Sequence, residues 1–226
     1  MRSFSDPRKQ VLKLTVVASL AILTMLLGVS VASADTLVIG TDTNWISFDY
    51  TGGLNGTYGG GSFDTATLNG EELPWIYCVD LNHYIHLGGI YGNAEVTNDG
   101  IVNGSLVTNA GQVAWLLNEY ADSSNVNEAA LQAAIWETIY GDSFALRSSN
   151  STAMLTAYNG YINALQNALS AGSVDDSLVG NFAWITPNPA NDDIQGQVTR
   201  VPEPSIILLL GVGIGLISLI TLFRRS

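Results

Sequence analysis

Two side chains in this sequence could form a covalent bond with each other. The only cysteine, Cys78, stands in the segment YCVD, and Gln132 stands in the segment LQAAIW. A cysteine thiol can attack the side-chain carbonyl carbon of a glutamine, expel ammonia and leave an internal thioester. The ordinary alternatives are a small buried thiol and a buried amide whose hydrogen bonds are satisfied.

Each of the two residues presents a difficulty that such a bond would remove. Gln132 lies on the apolar face of a predicted helix, where an amide without hydrogen-bond partners costs about 1–3 kcal/mol. The same face carries Ile135, Trp136 and Ile139. In an exported chain, Cys78 as a free thiol is open to oxidation and mispairing. A thioester leaves neither a free thiol nor a buried amide.

The segment around Cys78 is expected to be a strand. Successive side chains of a strand point to opposite faces, so Asp80 shares a face with Cys78. The opposite face then carries Tyr77, Val79 and Leu81. Asp80 is therefore the candidate for moving protons at the site.

Further residues are expected to shield the thioester from water or to transfer its acyl group. Trp75, Tyr77 and Trp136 are the aromatic side chains that we expect to keep water away from a thioester. His83 and His86 follow the cysteine closely, and an imidazole beside an activated acyl group can accept the acyl chain and pass it to a hydroxyl. The predicted targets are therefore amines or hydroxyls on another molecule. Because each molecule reacts once without turnover, the protein is not expected to be an enzyme.

Three other functions fit the same residues. The tryptophans and tyrosines could form a sugar-stacking surface in a non-covalent matrix or carbohydrate-binding protein. Cys78 with either His83 or His86 could form the dyad of a cysteine hydrolase, although no third, orienting residue is evident. The same three residues could bind a metal, but their spacing matches no standard zinc site. We expect neither a metal nor a cofactor.

The segments around both residues resemble a known family. YCVD, then the helical segment GQVAWLLNEY, then LQAAIW, is similar to the thioester domain of bacterial surface adhesins, over Trp75 to Gly141. That signature pairs an aromatic-Cys strand with a Q-x-A-I-W helix. The resemblance implies that Cys78 and Gln132 are the thioester partners and that Trp136 is the motif's packing tryptophan.

The first 34 residues have the pattern of a secretory signal. A basic start is followed by an apolar run from Leu14 to Val31 and by the small residues ASA before Asp35. This arrangement predicts cleavage by signal peptidase after Ala34. The remaining chain is then expected to fold outside the cytoplasm.

The C-terminal 25 residues, 202–226, resemble the PEP-CTERM sorting signal of Gram-negative bacteria. Pro202, Glu203 and Pro204 precede an apolar run, which ends at the basic pair Arg224 and Arg225. The run is long enough to cross a membrane as a helix. The resemblance implies processing by an exosortase and an exopolysaccharide or biofilm setting. We therefore expect a transient inner-membrane tail and a final place on the cell surface or in the extracellular matrix.

Between these ends, residues 35–201 form one predicted domain of strongly acidic character. Of the chain's 20 acidic residues, all but Asp6 and Glu203 lie in this domain, whereas its only basic residues are Arg147 and Arg200. Its net charge is thus about −16, which repels nucleic-acid backbones and makes nucleic acid an unexpected partner.

Periodicity predicts an α+β fold, with a mostly antiparallel β part and about three helices packed on it. From Thr36 to Val102 short alternating segments are separated by glycine-rich turns, and the segment NFAWIT predicts a later strand. The first helix is expected to begin with a capping box at Asn109. The second should run from Asn125 to Gly141, and the third should end at Gly172.

Overall fold

Antiparallel strands make up most of the β structure in this chain, for which a computed structural model describes residues 35–190 and 193–200. The strands are β1 (Asp35–Val38), β2 (Trp45–Tyr50), β3 (Asn55–Gly59), β4 (Thr67–Leu68), β5 (Glu71–Glu72), β6 (Tyr77–Cys78), β7 (Ile90–Thr97), β8 (Ile101–Val102), β9 (Ser105–Leu106), β10 (Phe144–Leu146), β11 (Phe182–Thr186) and β12 (Gln197–Arg200). The α-helices are α1 (Ala110–Tyr120), α2 (Glu128–Tyr140) and α3 (Thr152–Ser170), and short 3-10 turns cover Gly141–Ser143 and Asp176–Asn181.

The largest sheet has seven strands in the order β5-β4-β1-β7-β11-β12-β6, and all its pairings are antiparallel. β11, which covers all but the first residue of the predicted NFAWIT strand, lies between β7 and β12, and all five of its residues are buried. β6 forms one edge and pairs only with β12, where Cys78 faces Gln197. Two smaller sheets have the orders β10-β2-β3 and β8-β9.

The predicted fold class is confirmed: the described part is α+β, mostly antiparallel, with three α-helices. The signal segment 1–34 and the sorting segment 202–226 lie outside the described residues. Within the described ranges, no helix has both the length and the apolar character needed to cross a membrane.

The start of α1 differs from the expected capping box. Asn109 adopts a left-handed backbone conformation, with φ of 56°, and its side chain does not cap the helix. Its Nδ2 atom instead donates a hydrogen bond of 2.8 Å to the carbonyl oxygen of Thr138. Asn109 therefore ties α1 to α2, a tertiary role that competes with capping.

The start of α2 also lies later than expected. Its N-cap is Asn127, whose side chain accepts from Ala130 N at 3.0 Å, and not Asn125. The residues before it form a turn in which Val126 N donates to Ser123 O. The predicted C-terminal residue Gly141 is confirmed as the C-cap, with a φ of 53° that favours glycine.

The buried residues form two clusters, and β6 contributes to both. One cluster contains Cys78 and Trp136, with Phe48 packed on the Trp136 ring at 5.1 Å between centroids. The second cluster contains Trp75 and Tyr77. Alternation along the strand thus sends neighbouring side chains into different parts of the core.

Candidate functional site: the Cys78–Gln132 pair

The side-chain amide of Gln132 is hydrogen-bonded at both ends to the backbone of Cys78. Gln132 Oε1 accepts from Cys78 N at 2.8 Å, and Gln132 Nε2 donates to Cys78 O at 2.7 Å. Both residues are 0% exposed, although they are 54 positions apart in the chain. The fold thus brings together the two residues whose chemistry the sequence pointed to.

The position of β6 explains why an amide fits there. Val79 N donates to Gly196 O, next to β12, so the N–H and C=O of the preceding residue face the free edge of the sheet. No strand covers that edge in the described sheet, and α2 places Gln132 against it. The amide takes the place of a peptide group of a missing strand and satisfies two backbone groups that burial would otherwise leave unpaired.

The sulfur of Cys78 lies in a dry environment with one polar neighbour. Burial raises the pKa of the Cys78 thiol to about 12, although an amide hydrogen bond from Gln197 acts in the opposite direction. Gln197 Nε2 donates to Cys78 Sγ at 3.5 Å and also to Gln195 O at 3.1 Å. The thiol is therefore neutral at ordinary pH and is shielded from water.

A glycine-rich loop packs closely against Gln132. A Cβ atom built on Gly60 would lie 3.3 Å from Gln132 Cγ and 2.7 Å from both the Trp136 ring and Ile46. Trp136 also contacts the rings of Phe48 and Phe144. Gly60 therefore permits a close approach that holds both the glutamine and the tryptophan in place.

The three aromatic residues expected around the pair are divided between the two clusters. Trp136 shares the cluster of Cys78, whereas Trp75 and Tyr77 lie in the other one. The Trp75 and Tyr77 rings pack on each other at 5.7 Å, and Trp75 Nε1 donates to Asp122 at 2.7 Å. Of the three, only Trp136 lies in the same cluster as the sulfur.

Strand alternation ends sooner than the sequence suggested. Leu81 packs in the same cluster as Cys78, not on the opposite face. The reason is a turn: Asp80 Oδ1 accepts from Asn82 N at 2.8 Å, which bends the chain just after β6. Leu81 N then donates to the hydroxyl of Tyr140 on α2 at 2.8 Å.

Asp80 and His83 form a pair on this turn. His83 Nδ1 contacts Asp80 Oδ2, which also accepts from Asn103 Nδ2 at 3.0 Å. Asp80 is buried and His83 is half-buried. His86 is exposed, and its backbone N–H donates to the hydroxyl of Tyr91. The structure therefore separates the roles of the two histidines, because only His83 is held by a carboxylate.

The geometry does not favour the hydrolase and metal alternatives. A cysteine hydrolase needs a thiolate beside its base, whereas the hydrogen-bond partner of Cys78 Sγ is an amide and the thiol pKa is raised. Among the described residues, no group of three His, Cys, Asp or Glu side chains could hold a metal ion.

Several residues of the site were not identified from the sequence. They are Gly60, Asn103, Tyr140, Gln195 and Gln197. Gln195 and Gln197 stand two apart in the segment QGQ, so in an extended conformation they share a face, and that spacing was the available signal. Nothing local marks Tyr140 or Asn103, because their roles depend on contacts distant in sequence.

Comparison of the chain with protein-family models, with curated proteins and with solved structures gave no match.

Proposed function

We propose that this chain is an exported surface or matrix protein that carries an internal thioester between Cys78 Sγ and Gln132 Cδ and uses it to attach covalently to a target. The observation that carries the proposal is the double hydrogen bond between the Gln132 amide and the Cys78 backbone. It fixes the carbon to be attacked beside the residue that bears the nucleophile. Well-oriented intramolecular groups in general reach effective molarities of about 10⁵ M or more.

The bond-forming step balances without any co-reactant. The Sγ–Cδ bond forms, the Cδ–Nε2 bond breaks, and the thiol proton leaves with the nitrogen as ammonia. A strand side chain stands roughly perpendicular to the sheet, which suits approach to the face of an amide held at the sheet edge. The Cys78 N–H already donates to Oε1, the atom on which negative charge develops during the attack.

The surroundings of the sulfur support the same chemistry. Because the thiol is neutral, the step depends on proximity more than on a preformed thiolate. The Gln197 amide can stabilise charge that develops on Sγ in either direction of the reaction. Burial of both partners then protects the product from hydrolysis until a target arrives.

The finished thioester is an acyl donor. An amine or a hydroxyl of a target displaces Cys78 and becomes bonded to the side chain of residue 132. The segments at both ends of the chain support an extracellular setting, with signal peptidase and an exosortase as processing partners. If the chain remained full length in the inner membrane of a host that has its exosortase, the sorting part of the proposal would fail.

Intact mass spectrometry of the protein secreted by such a host tests the thioester. We expect the mature chain to be lighter than its sequence by one ammonia, with one peptide pair joining the Cys78 and Gln132 segments. Methylamine should add to residue 132 and release one thiol. The matched variant Cys78→Ala should show full sequence mass and no methylamine adduct.

The alternative, a non-covalent carbohydrate-binding protein, is favoured by an exposed aromatic pocket near Trp136. Full sequence mass in the wild-type chain, with one thiol that titrates after denaturation, would overturn the thioester and leave this alternative.

A further inference from the structure

An open pocket of about 170 Å³ lies at the surface and shares Trp136 with the core cluster that contains Cys78. It is lined by aromatic and apolar side chains with a few polar groups, among them Trp45, Tyr58, His83, Tyr84, Leu87 and Gln195. The pocket is smaller than the roughly 300–1,000 Å³ typical of sites for whole drug-sized ligands. It therefore suits one ring or one side chain of a larger molecule.

The aromatic rings of the pocket are unusually open to solvent. Trp45 is 63% exposed and Tyr84 is 54% exposed, while Tyr84 also contacts the ring of Tyr58 at 6.4 Å between centroids. The residue paired with Trp45 across the sheet is Gly59, which has no side chain to cover the indole. Exposed rings around a concave surface indicate a place where a flat apolar face of a ligand can bind.

The polar groups of the pocket are built in by the fold. The contact between His83 Nδ1 and Asp80 leaves Nε2 on the opposite edge of the imidazole ring to serve a ligand. Asp80 is itself fixed by Asn82 N and Asn103 Nδ2. Gln195 Nε2 donates to the carbonyl oxygen of Asp80. An imidazole oriented by a buried carboxylate in this way is suited to accept a proton from a hydroxyl.

The same elements connect the pocket with the reactive pair. Trp136 lines the pocket and follows Gln132 by one turn of α2, and Gly60 contacts both side chains. Gln195, just before β12, lines the pocket, and Gln197, the first residue of β12, donates to the sulfur of Cys78. The pocket and the reactive pair therefore share α2 and the segment around β12, although neither Cys78 nor Gln132 itself lines the pocket.

We propose that the pocket is the acceptor site for a neutral saccharide and that His83 activates the attacking hydroxyl. This proposal rests on the thioester function proposed above. A sugar ring stacks on Trp45 and Tyr84. One of its hydroxyl oxygens bonds to Cδ of residue 132 and the Cδ–Sγ bond breaks. His83 accepts the hydroxyl proton and releases it to solvent, and the Cys78 sulfur takes up a proton from solvent to become the thiol. The products are an ester on residue 132 and a free thiol.

Charge selects a neutral acceptor. The domain has 18 acidic residues, and both of its arginines are engaged in ion pairs, Arg147 with Asp49 and Arg200 with Asp122. Such a surface repels polyanionic sugars. No Asp, Glu, Lys or Arg lines the pocket.

The test uses the full secreted chain and three probes: a β-1,4-linked glucose hexamer, a galacturonic acid hexamer of the same length, and a lysine-containing peptide. Intact mass and peptide mapping follow adducts on residue 132. We expect the glucose hexamer to react fastest. Trp45→Ala should slow that reaction about tenfold and His83→Gln about a hundredfold.

Two controls separate this proposal from the thioester itself. His86→Gln changes an exposed histidine of the same loop that is not part of the pocket lining, so it should leave the hexamer reaction unchanged. All three variants should keep the ammonia deficit of the wild type. Reaction with the lysine peptide alone, or hexamer adducts unaffected by Trp45→Ala and His83→Gln, would overturn the acceptor site.

Binding can also be measured where no thioester forms. Cys78→Ala cannot react, yet it retains the pocket, so isothermal titration calorimetry should report saturable binding of the glucose hexamer that Trp45→Ala weakens about tenfold. Absence of such binding would overturn the pocket whatever the mass of the wild-type chain. An absent ammonia deficit together with hexamer binding would overturn the thioester and the covalent step, and only the binding site would stand.

Discussion

The amide of Gln132 occupies the position of a peptide group at the uncovered edge of β6, and this position gives the residue a structural role as well as a chemical one. Removing the amide leaves the buried N–H and C=O of Cys78 without partners. Each such group costs about 1–3 kcal/mol. A stability change at this residue therefore does not by itself report on the thioester.

Measurement in the Cys78→Ala background separates the two roles, because no thioester can form there. We predict that Gln132→Leu lowers the free energy of unfolding in urea by about 2–5 kcal/mol in that background. The matched control is Gln166→Leu, which changes an exposed glutamine on α3 and should stay within about 0.5 kcal/mol. Equal effects of the two substitutions would contradict the buried double hydrogen bond.

The Cys78 thiol is expected to make stability depend on pH in any form of the chain in which the thiol is free. Burial raises its pKa to about 12 from a reference value of 9.0. Between these values the unfolded chain releases the thiol proton and the native chain keeps it. The stability that this group contributes is therefore fully present below pH 9 and is lost as the pH rises towards 12.

The ¹³C chemical shift of the Cys78 Cβ atom measures the same shift without a reagent that must reach the buried sulfur. In a Gln132→Met variant, which cannot form the thioester, we expect no titration of this signal in the native chain between about pH 7 and pH 10. The same protein unfolded in urea should titrate near the pKa of an ordinary thiol. A native-state titration near pH 9 would show that the thiol is not held in a dry site.

At the scale of elements, the loop after β3 lets the side chains of the site pack closely against its backbone, because its glycines have no side chains. An alanine Cβ at Gly60 would meet the Trp136 ring at 2.7 Å, and the packed ring has little freedom to move. We predict that Gly60→Ala lowers the free energy of unfolding by about 1–3 kcal/mol and slows formation of the thioester. The ammonia deficit measured during maturation reports the second effect.

A matched glycine provides the control for this loop. Gly92 lies in β7, and a Cβ built on it meets no atom within 4 Å. Gly92→Ala should therefore leave both stability and thioester formation close to wild type. If the two substitutions behaved alike, the close packing of the loop over Gln132 would be disproved.

The elements also show what the sequence could and could not predict. The fold class, the three helices and the β11 strand follow from periodicity, and Cys78 and Gln132 were singled out by residue type and resemblance. The predicted capping role of Asn109 was wrong because its side chain donates a hydrogen bond to the carbonyl oxygen of Thr138, 29 positions away. The spacing in QGQ could have marked Gln197 but not its partner Cys78, and Gly60 became visible only through its close approach to side chains distant in sequence.

The whole domain carries far more negative than positive charge. Its two arginines lie in exposed ion pairs, which contribute little stability, so the large excess of its 18 acidic residues over two arginines makes the domain self-repulsive. Such self-repulsion opposes the compact state. It is also screened by salt over about 10 Å at 0.1 M ionic strength.

Urea unfolding at increasing NaCl concentration tests this balance. Because screening weakens the repulsion among many acidic groups more than it weakens the two arginine ion pairs, we predict that the urea midpoint rises with NaCl. Glu71 and Glu72 form the exposed edge strand β5, so replacing both with glutamine removes two charges without touching the core. This double variant should show a smaller rise, and Arg147→Gln, which adds net negative charge, a larger one. A midpoint that fell with salt would mean that the ion pairs outweigh the repulsion.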